Sequence, residues 1–312
     1  MSRTNRAAII GCVIALALGA GIALAGSQGG ATLQVGATSQ GLPLFAIAIA
    51  AAFAVQVIAF IPAALLRSEH FFDLTGSLTF IGVSVFLIVA APAPDARSWV
   101  LTAMVVLWAL RLGPFLFLRV RRAGSDGRFT EIVQQPLVFL RVWVLQGLWV
   151  SLTASAAWAA VSAAPAAQRP IDWLAAVGIV VWLAGLAIEV IADAQKSAFR
   201  ADSRNDGRFI TTGLWSRSRH PNYFGEIVLW CGVFLVAAPV LTGWQWVTVL
   251  SPVFVTLLLT RVSGVPLLEA RATKRWGGEA AYERYVAEVP VLVPRFTRPR
   301  LDRSSPVSGD AR

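Results

Sequence analysis

Long apolar stretches make up most of the chain, and short polar segments separate them. A helix that crosses a bilayer needs about 20 mostly apolar residues. Eight stretches meet this requirement: 7–26, 42–66, 74–92, 98–118, 136–161, 172–192, 222–241 and 244–260. Most of their faces are apolar, so length and apolarity rather than a 3.6-residue period indicate helices. The pattern predicts an all-α, polytopic membrane protein with about eight transmembrane helices.

The first apolar stretch also allows a second interpretation. Arg3 and Arg6 precede it, and Ala23-Leu24-Ala25 resembles a signal-peptide cleavage site. The stretch is long for a signal peptide, which favours a retained helix. Cleavage would leave seven spans and would not change the orientation of the others.

Composition supports the membrane class, because 56% of the residues are apolar and only 14% are charged. Soluble chains carry about 25% charged residues. With the N-terminus in the cytoplasm, 23 of the 27 cationic residues fall in cytoplasmic segments and two in external loops. We therefore expect a multi-pass membrane protein with both termini in the cytoplasm. The net charge of +10 then reflects orientation and contact with anionic lipid rather than nucleic acid.

A polar stripe leaves the sixth apolar stretch. Its members are Glu189, Asp193, Lys196 and Arg200. At about 100° per residue they fall within an arc of about 60° on one helix face. A solvated helix end explains Lys196 and Arg200. It explains Glu189, about one turn deeper, less well, which favours a functional stripe because polar groups at membrane depth are costly.

The densest polar segment beside a span is 216–226. Pro221 can begin a helix there, since proline is tolerated in the first helical turn. The unpaired N–H groups of that turn, next to Arg219, would attract phosphate. A capped cytoplasmic loop accounts for the arginine but not for Asn222, Tyr223 and Glu226 within the first helical turns.

Three further groups are candidates. Arg111 lies inside the fourth stretch, with Glu189 or Glu226 as its expected partner, and Arg119 follows it.

The loop between the second and third stretches carries His70, Glu69 and Asp73, which either form a polar loop or supply a proton donor. Glu269 precedes an amphipathic segment with Tyr282 and Tyr285, which is either an interfacial helix or part of the site. Two cysteines and two histidines are too few for a disulfide framework or most metal sites, so no metal is expected.

The segment Arg219-His-Pro-Asn-Tyr-Phe-Gly-Glu226 resembles the C-terminal signature of the steroid 5-alpha-reductase-type membrane enzymes, and most closely their bacterial DUF1295 relatives. Other fragments resemble the family in the same order: Ala109–Leu112 with Arg119, Asp126–Arg128, Asp193–Lys196 with Phe199 and Arg200, Gly213–Ser218, Ser263–Glu269, and Tyr282 and Tyr285 with Pro294. Together they cover about 67–295, which we expect to be the reductase-like membrane domain. The helices within 1–66 match the family poorly, and 296–312 is expected to be a disordered tail.

The resemblance implies a membrane oxidoreductase that uses NADPH to reduce a carbon–carbon double bond conjugated to a carbonyl in an apolar, steroid- or lipid-like substrate. The cofactor contacts that it implies are Asp193, Lys196, Arg200, Arg219, His220, Asn222, Tyr223, Glu226, Arg111 and Arg119. The family's steroid reductases also use a Glu and a Tyr in the N-terminal half, where this chain has no tyrosine. The expected catalytic residues are therefore Tyr223, Asp73, His70 and Glu69.

Two other functions compete with this interpretation. Membrane methyltransferases of the isoprenylcysteine type, which use S-adenosylmethionine, have a similar Arg-His-Pro-x-Tyr stretch and closing helix. They carry paired glutamates near the tail, whereas Glu269 is followed by Ala270 here. The polar stripe and the arginine region favour a pyrophosphate cofactor and hence a reductase. A transporter or lipid-binding protein is disfavoured because the polar residues gather at one mouth, with no charged path to the other side.

Overall fold

A computed structural model of the protein describes residues 2–34, 41–123 and 129–295. Helices dominate this part of the chain. In chain order the α-helices are α1 Arg3–Gly26, α2 Leu44–Leu66, α3 Phe72–Ala90, α4 Ala96–Ala123, α5 Pro136–Val161, α6 Trp173–Ala201, α7 Pro221–Ala237, α8 Leu250–Leu257, α9 Val265–Trp276 and α10 Ala280–Glu288. Between α1 and α2 a short antiparallel ribbon pairs β1, Thr32–Leu33, with β2, Leu42–Pro43.

Eight helical segments in the described chain are long and apolar enough to cross a membrane, which confirms the all-α polytopic fold. The seventh of these is Pro221–Val240 and the eighth is Gly243–Trp276. The eighth runs beyond the predicted 244–260, because α8 continues through a π-helical turn at Leu258–Val262 towards α9.

The sixth helix is also longer than predicted. The sixth apolar stretch ends at residue 192, but α6 continues to Ala201. Ala, Gln, Lys and Arg are good helix formers, so the helix persists where the chain turns polar. The predicted stripe therefore lies on one continuous helix.

The chain divides into two compact units. The first holds the described residues of Met1–Ile179 and Cys231–Phe254, and the second holds those of Val180–Trp230 and Val255–Arg312. In the first unit Phe53 of α2 lies between two glycines. A Cβ atom on Gly19 of α1 would lie 2.5 Å from the Phe53 ring, and one on Gly147 of α5 would lie 2.8 Å from it. Small residues at these positions let the three helices approach closely.

A buried arginine, Arg97, connects three segments of the first unit. Arg97, with 1% of its side chain exposed, lies 3.3 Å from the Asp172 carboxylate. It also donates hydrogen bonds to the carbonyl oxygens of Val236 at 2.6 Å and Pro170 at 2.7 Å. Because these bonds satisfy the buried guanidinium, Arg97 ties α4 to the connector before α6 and to the end of α7.

Candidate functional site

Helices α6 and α7 cross in the second unit with their backbones almost in contact. A Cβ atom on Gly225 would lie 2.7 Å from the backbone nitrogen of Glu189 and from the carbonyl oxygen of Gly185. A Cβ atom on Gly185 would lie 2.5 Å from the backbone nitrogen of Leu229. Only glycine fits at these two positions, and the close crossing brings the polar stripe of α6 beside the first turns of α7.

The stripe and the segment at the start of α7 meet through a direct hydrogen bond. The Asn222 amide nitrogen donates to the Asp193 carboxylate at 3.2 Å. Asp193 is buried, and so is Glu189 one turn earlier on α6. As predicted, α7 begins at Pro221, so Asn222 is held within its first turn. Two segments that were singled out separately in the sequence thus form one polar cluster.

The loop before α7 is attached to the same face of α6. Gly213 has φ +61°, which favours glycine, and its neighbour Leu214 donates its backbone N–H to the Gln195 side chain at 2.9 Å. The Trp215 indole donates to the Ala192 carbonyl oxygen at 3.0 Å. The Lys196 ammonium lies 4.2 Å from the centroid of the Trp215 ring, so this cation is placed against the loop.

Glu269 of α9 joins two residues of the 219–226 segment. One of its oxygens lies 2.7 Å from His220 Nε2, and the other lies 3.3 Å from Arg219 Nη1. The His220 ring in turn stacks on Tyr223, with centroids 5.7 Å apart and an interplanar angle of 11°. The carboxylate thereby orients two side chains directly and a third through the stack.

In the two residues that Glu269 joins, two buried atoms have no hydrogen-bond partner among the described residues. They are His220 Nδ1 and Arg219 Nε. Buried polar atoms in folded proteins almost always have a partner, and each exception calls for an explanation. A bound ligand would supply the missing donor or acceptor at both positions.

Helix α10 and the segment after it pack against the loop before α7. The Tyr285 hydroxyl donates to the Trp215 carbonyl oxygen at 2.8 Å. The Arg219 backbone N–H donates to Pro290, and the Ser218 hydroxyl donates to Leu292 at 2.7 Å. Tyr282 and Tyr285 are both buried on α10, so this amphipathic segment is helical and packs its tyrosines inwards. Burial raises the pKa of the Tyr285 phenol above its ordinary value.

Other residues of the predicted site fall in the same unit. Arg200 is exposed in the last turn of α6, and Glu226 is half-buried in the second turn of α7. Glu269 was not among the predicted cofactor contacts, although its position in the 263–269 fragment had suggested a role in the site. Its pairing with His220, 49 residues away in sequence, has no local sequence signal.

The remaining predicted residues lie in the first unit. His70 is exposed, and its Nδ1 lies 2.7 Å from the Ser68 hydroxyl. An open pocket of about 360 Å³ is lined by His70, Phe71, Phe117 and Arg121. Glu69, next to His70, is partly buried. His70 therefore lines an open pocket, and the role of this loop as a proton donor stays a prediction.

Asp73 and Arg119 form a long ion pair in the first unit, with Arg119 Nη2 3.9 Å from the carboxylate. The Arg111 guanidinium lies 5.6 Å from the centroid of the Phe115 ring. The expected pairing of Arg111 with Glu189 or Glu226 stays a prediction. The resemblance at Asp126–Arg128 and the tail 296–312 lie outside the described residues.

Comparison with known proteins shows a family match over the part of the chain that contains this cluster. No curated protein and no solved structure matches the chain. The model of DUF1295, a family described as a protein of unknown function, matches residues 59–289. This match spans well over half of the chain and includes the α6 stripe, the 219–226 segment and Glu269. The chain therefore belongs to the DUF1295 family.

Proposed function

We propose that the protein is a membrane reductase of the steroid 5-alpha-reductase type. It uses NADPH to saturate a carbon–carbon double bond conjugated to a carbonyl in an apolar substrate. The observation that carries the proposal is the hydrogen bond between Asn222 and Asp193. It joins the two segments that most resemble this enzyme class into one polar cluster on two membrane helices.

The residue types in the cluster suit a phosphorylated dinucleotide. Lys196 and Arg200 supply cations for phosphate groups, and α7 begins at Pro221 with the positive end of its helix dipole. The buried and unpartnered nitrogens of His220 and Arg219 suit polar atoms of the same ligand. When bound, NADPH would supply the hydride that the reaction needs.

Tyr223 is the residue in this unit best placed to act on the substrate carbonyl. Its ring is held parallel to His220, which Glu269 orients in turn. The Tyr285 hydroxyl is already bonded to the Trp215 carbonyl oxygen. As hydride reaches the β-carbon, negative charge develops on the carbonyl oxygen, and a phenolic O–H donated to that oxygen stabilises it.

His70, Glu69 and Asp73 are the other proposed proton donors. All three belong to the first unit, where His70 lines the open pocket. An apolar substrate would reach the protein from the bilayer. The cationic residues cluster in segments that we assign to the cytoplasmic face of a bacterial inner membrane, where the cofactor is available.

Thermal unfolding of the purified protein in detergent tests the proposal. A ligand present at 100 times its Kd stabilises the folded state by about 2.7 kcal/mol. NADPH should raise the melting temperature more than NADH, and S-adenosylmethionine should have little effect. Lys196→Gln should reduce the NADPH effect, whereas Lys274→Gln, at an exposed position of α9, should preserve it.

Each alternative gives its own result in the same experiment. A shift with S-adenosylmethionine alone would replace the reductase with a methyltransferase. If neither the nucleotides nor S-adenosylmethionine raise the melting temperature of the wild-type protein, then neither enzyme class is supported.

A further inference from the structure

Arg141 is a charged residue inside a membrane helix. It is the sixth residue of α5, a candidate span that begins at Pro136. At 1.5 Å per residue it lies about 8 Å along the helix from that start. Ionisable residues at such positions are costly and normally meet a partner of opposite charge.

Helix α1 makes room for the stem of this arginine. A Cβ atom on Gly11 would lie 2.8 Å from Arg141 Cδ and 3.2 Å from Cγ. Any larger residue at position 11 would displace the side chain from the seam between α1 and α5. Cys12 follows Gly11 in α1, and its thiol is close enough to the Arg141 guanidinium to interact with it electrostatically.

No carboxylate pairs with Arg141 among the residues of the described ranges. Its Nε is buried and has no acceptor there. The first turns of both α1 and α5 lack acidic residues, and α1 adds the exposed Arg3 and Arg6 at the same end. The seam is therefore a positively charged site without an anion from the described chain.

The surface around the guanidinium is apolar and exposed. Leu137 and Leu145 stand four residues before and after Arg141, so they share its face of α5. They are 36% and 42% exposed, and Ile10 and Ile14 of α1 are 58% and 54% exposed. A ligand for this seam combines an anionic group for the arginine with hydrocarbon for the flanking side chains.

We propose that the seam between α1 and α5 binds an anionic phospholipid, with Arg141 holding its phosphate and the exposed leucines and isoleucines contacting its acyl chains. Guanidinium and phosphate form paired, charge-assisted hydrogen bonds, which would satisfy the buried Nε. The site lies wholly in the first unit and does not depend on the proposed reductase activity.

Lipid binding can be measured by native mass spectrometry of the protein in mixed micelles that contain phosphatidylglycerol or phosphatidylcholine. The wild type should retain phosphatidylglycerol preferentially. Arg141→Gln should weaken that binding about tenfold or more, the usual effect of losing a charged hydrogen bond. Arg141→Lys should keep part of the preference. Arg169→Gln, which removes an exposed arginine from a loop, should keep all of it.

A second measurement leaves Arg141 intact and reports on the seam itself. In a Cys231→Ser variant Cys12 is the remaining cysteine, so maleimide labels only that thiol. Phosphatidylglycerol should slow the labelling several-fold relative to phosphatidylcholine, and inorganic phosphate alone should not. Equal rates in both lipids, or an unchanged lipid preference in Arg141→Gln, would overturn the proposal. Equal protection by inorganic phosphate would mean that the site binds free phosphate rather than a lipid.

Discussion

His220 Nε2 lies 2.7 Å from the Glu269 carboxylate, whose second oxygen lies 3.3 Å from Arg219. One acidic side chain of α9 therefore holds two consecutive residues of the segment before α7. Because the His220 ring also stacks on Tyr223, α9 contributes to the orientation of the Tyr223 ring. Changes at Glu269 should consequently affect both the fold and the proposed chemistry.

Glu269→Gln should destabilise the protein by about 1–3 kcal/mol. The amide keeps the length of the side chain but removes its charge, which leaves the mostly buried Arg219 without its ion pair. Denaturant or thermal unfolding in detergent measures the change. Glu279→Gln, at an exposed position, is the matched control and should be close to neutral. Equal stability of the two variants would show that the ion pair contributes little.

Tyr223→Phe should lower the rate of reduction much more than it weakens cofactor binding. The hydroxyl would interact with charge that appears only in the transition state, so its loss reduces kcat. Single-turnover hydride transfer and NADPH affinity should be measured on the same preparation. Tyr282→Phe, in α10, should leave both close to wild type. Normal turnover in Tyr223→Phe would assign the proton donor to Asp73, Glu69 or His70.

Gly225→Ala should be strongly destabilising for a one-carbon change. The added methyl would lie 2.7 Å from the backbone of α6, and backbone atoms cannot rotate away as a flexible side chain can. We expect a loss of about 1–3 kcal/mol, as for overpacked cores. Gly82→Ala in α3, where nothing lies within 4 Å of the new methyl, should be neutral or slightly stabilising. Unfolding of both variants under one condition provides the comparison.

Tyr285 should make the fold sensitive to alkali. Burial raises its pKa in the folded state, whereas the unfolded chain ionises near the ordinary value of about 10. The contribution is therefore complete below about pH 10 and is lost as the pH rises towards the folded-state value. Tyr285→Phe should lower stability near neutral pH by about 1 kcal/mol, through loss of the bond to Trp215. It should also flatten the decline above pH 10 in unfolding measured against pH.

The orientation of the chain can be tested with reporter fusions. The 23-to-2 distribution of cationic residues predicts that both termini and the connector after α6 face the cytoplasm. A C-terminal reporter that functions only in the cytoplasm should be active, and one that functions only in the periplasm should be silent. The reverse pattern would place the polar cluster on the outer face, where the proposed cofactor NADPH is absent.

The spans could be predicted from sequence because the signal extends over about 20 residues and does not depend on packing. The predicted ends of the sixth and eighth spans were less accurate than their positions. At the end of α6 the chain turns polar while the helix continues, so the end of the apolar stretch at residue 192 does not mark the end of the helix. The change from apolar to polar residues indicates where a helix leaves the bilayer, but the helix itself can continue further.

The site could be predicted only in part. Asp193, Asn222 and their neighbours stood out because polar side chains are rare at membrane depth. The partner of His220 did not, since Glu269 is 49 residues away and lies in a helix that also fits an interfacial role. Contacts between residues so far apart in the chain follow from tertiary packing, and no local pattern in a single sequence indicates them.

The glycine pair at the α6–α7 crossing has a consequence for how the protein can change. The distance between the two helices is determined by main-chain atoms at Gly185 and Gly225 rather than by side chains. Substitutions at neighbouring polar positions can therefore alter the proposed ligand site without altering the helix crossing that holds it. In engineering or evolution, a new preference of the proposed ligand site should arise through Lys196 and Arg200, while exchange of either glycine should be rejected whatever the ligand.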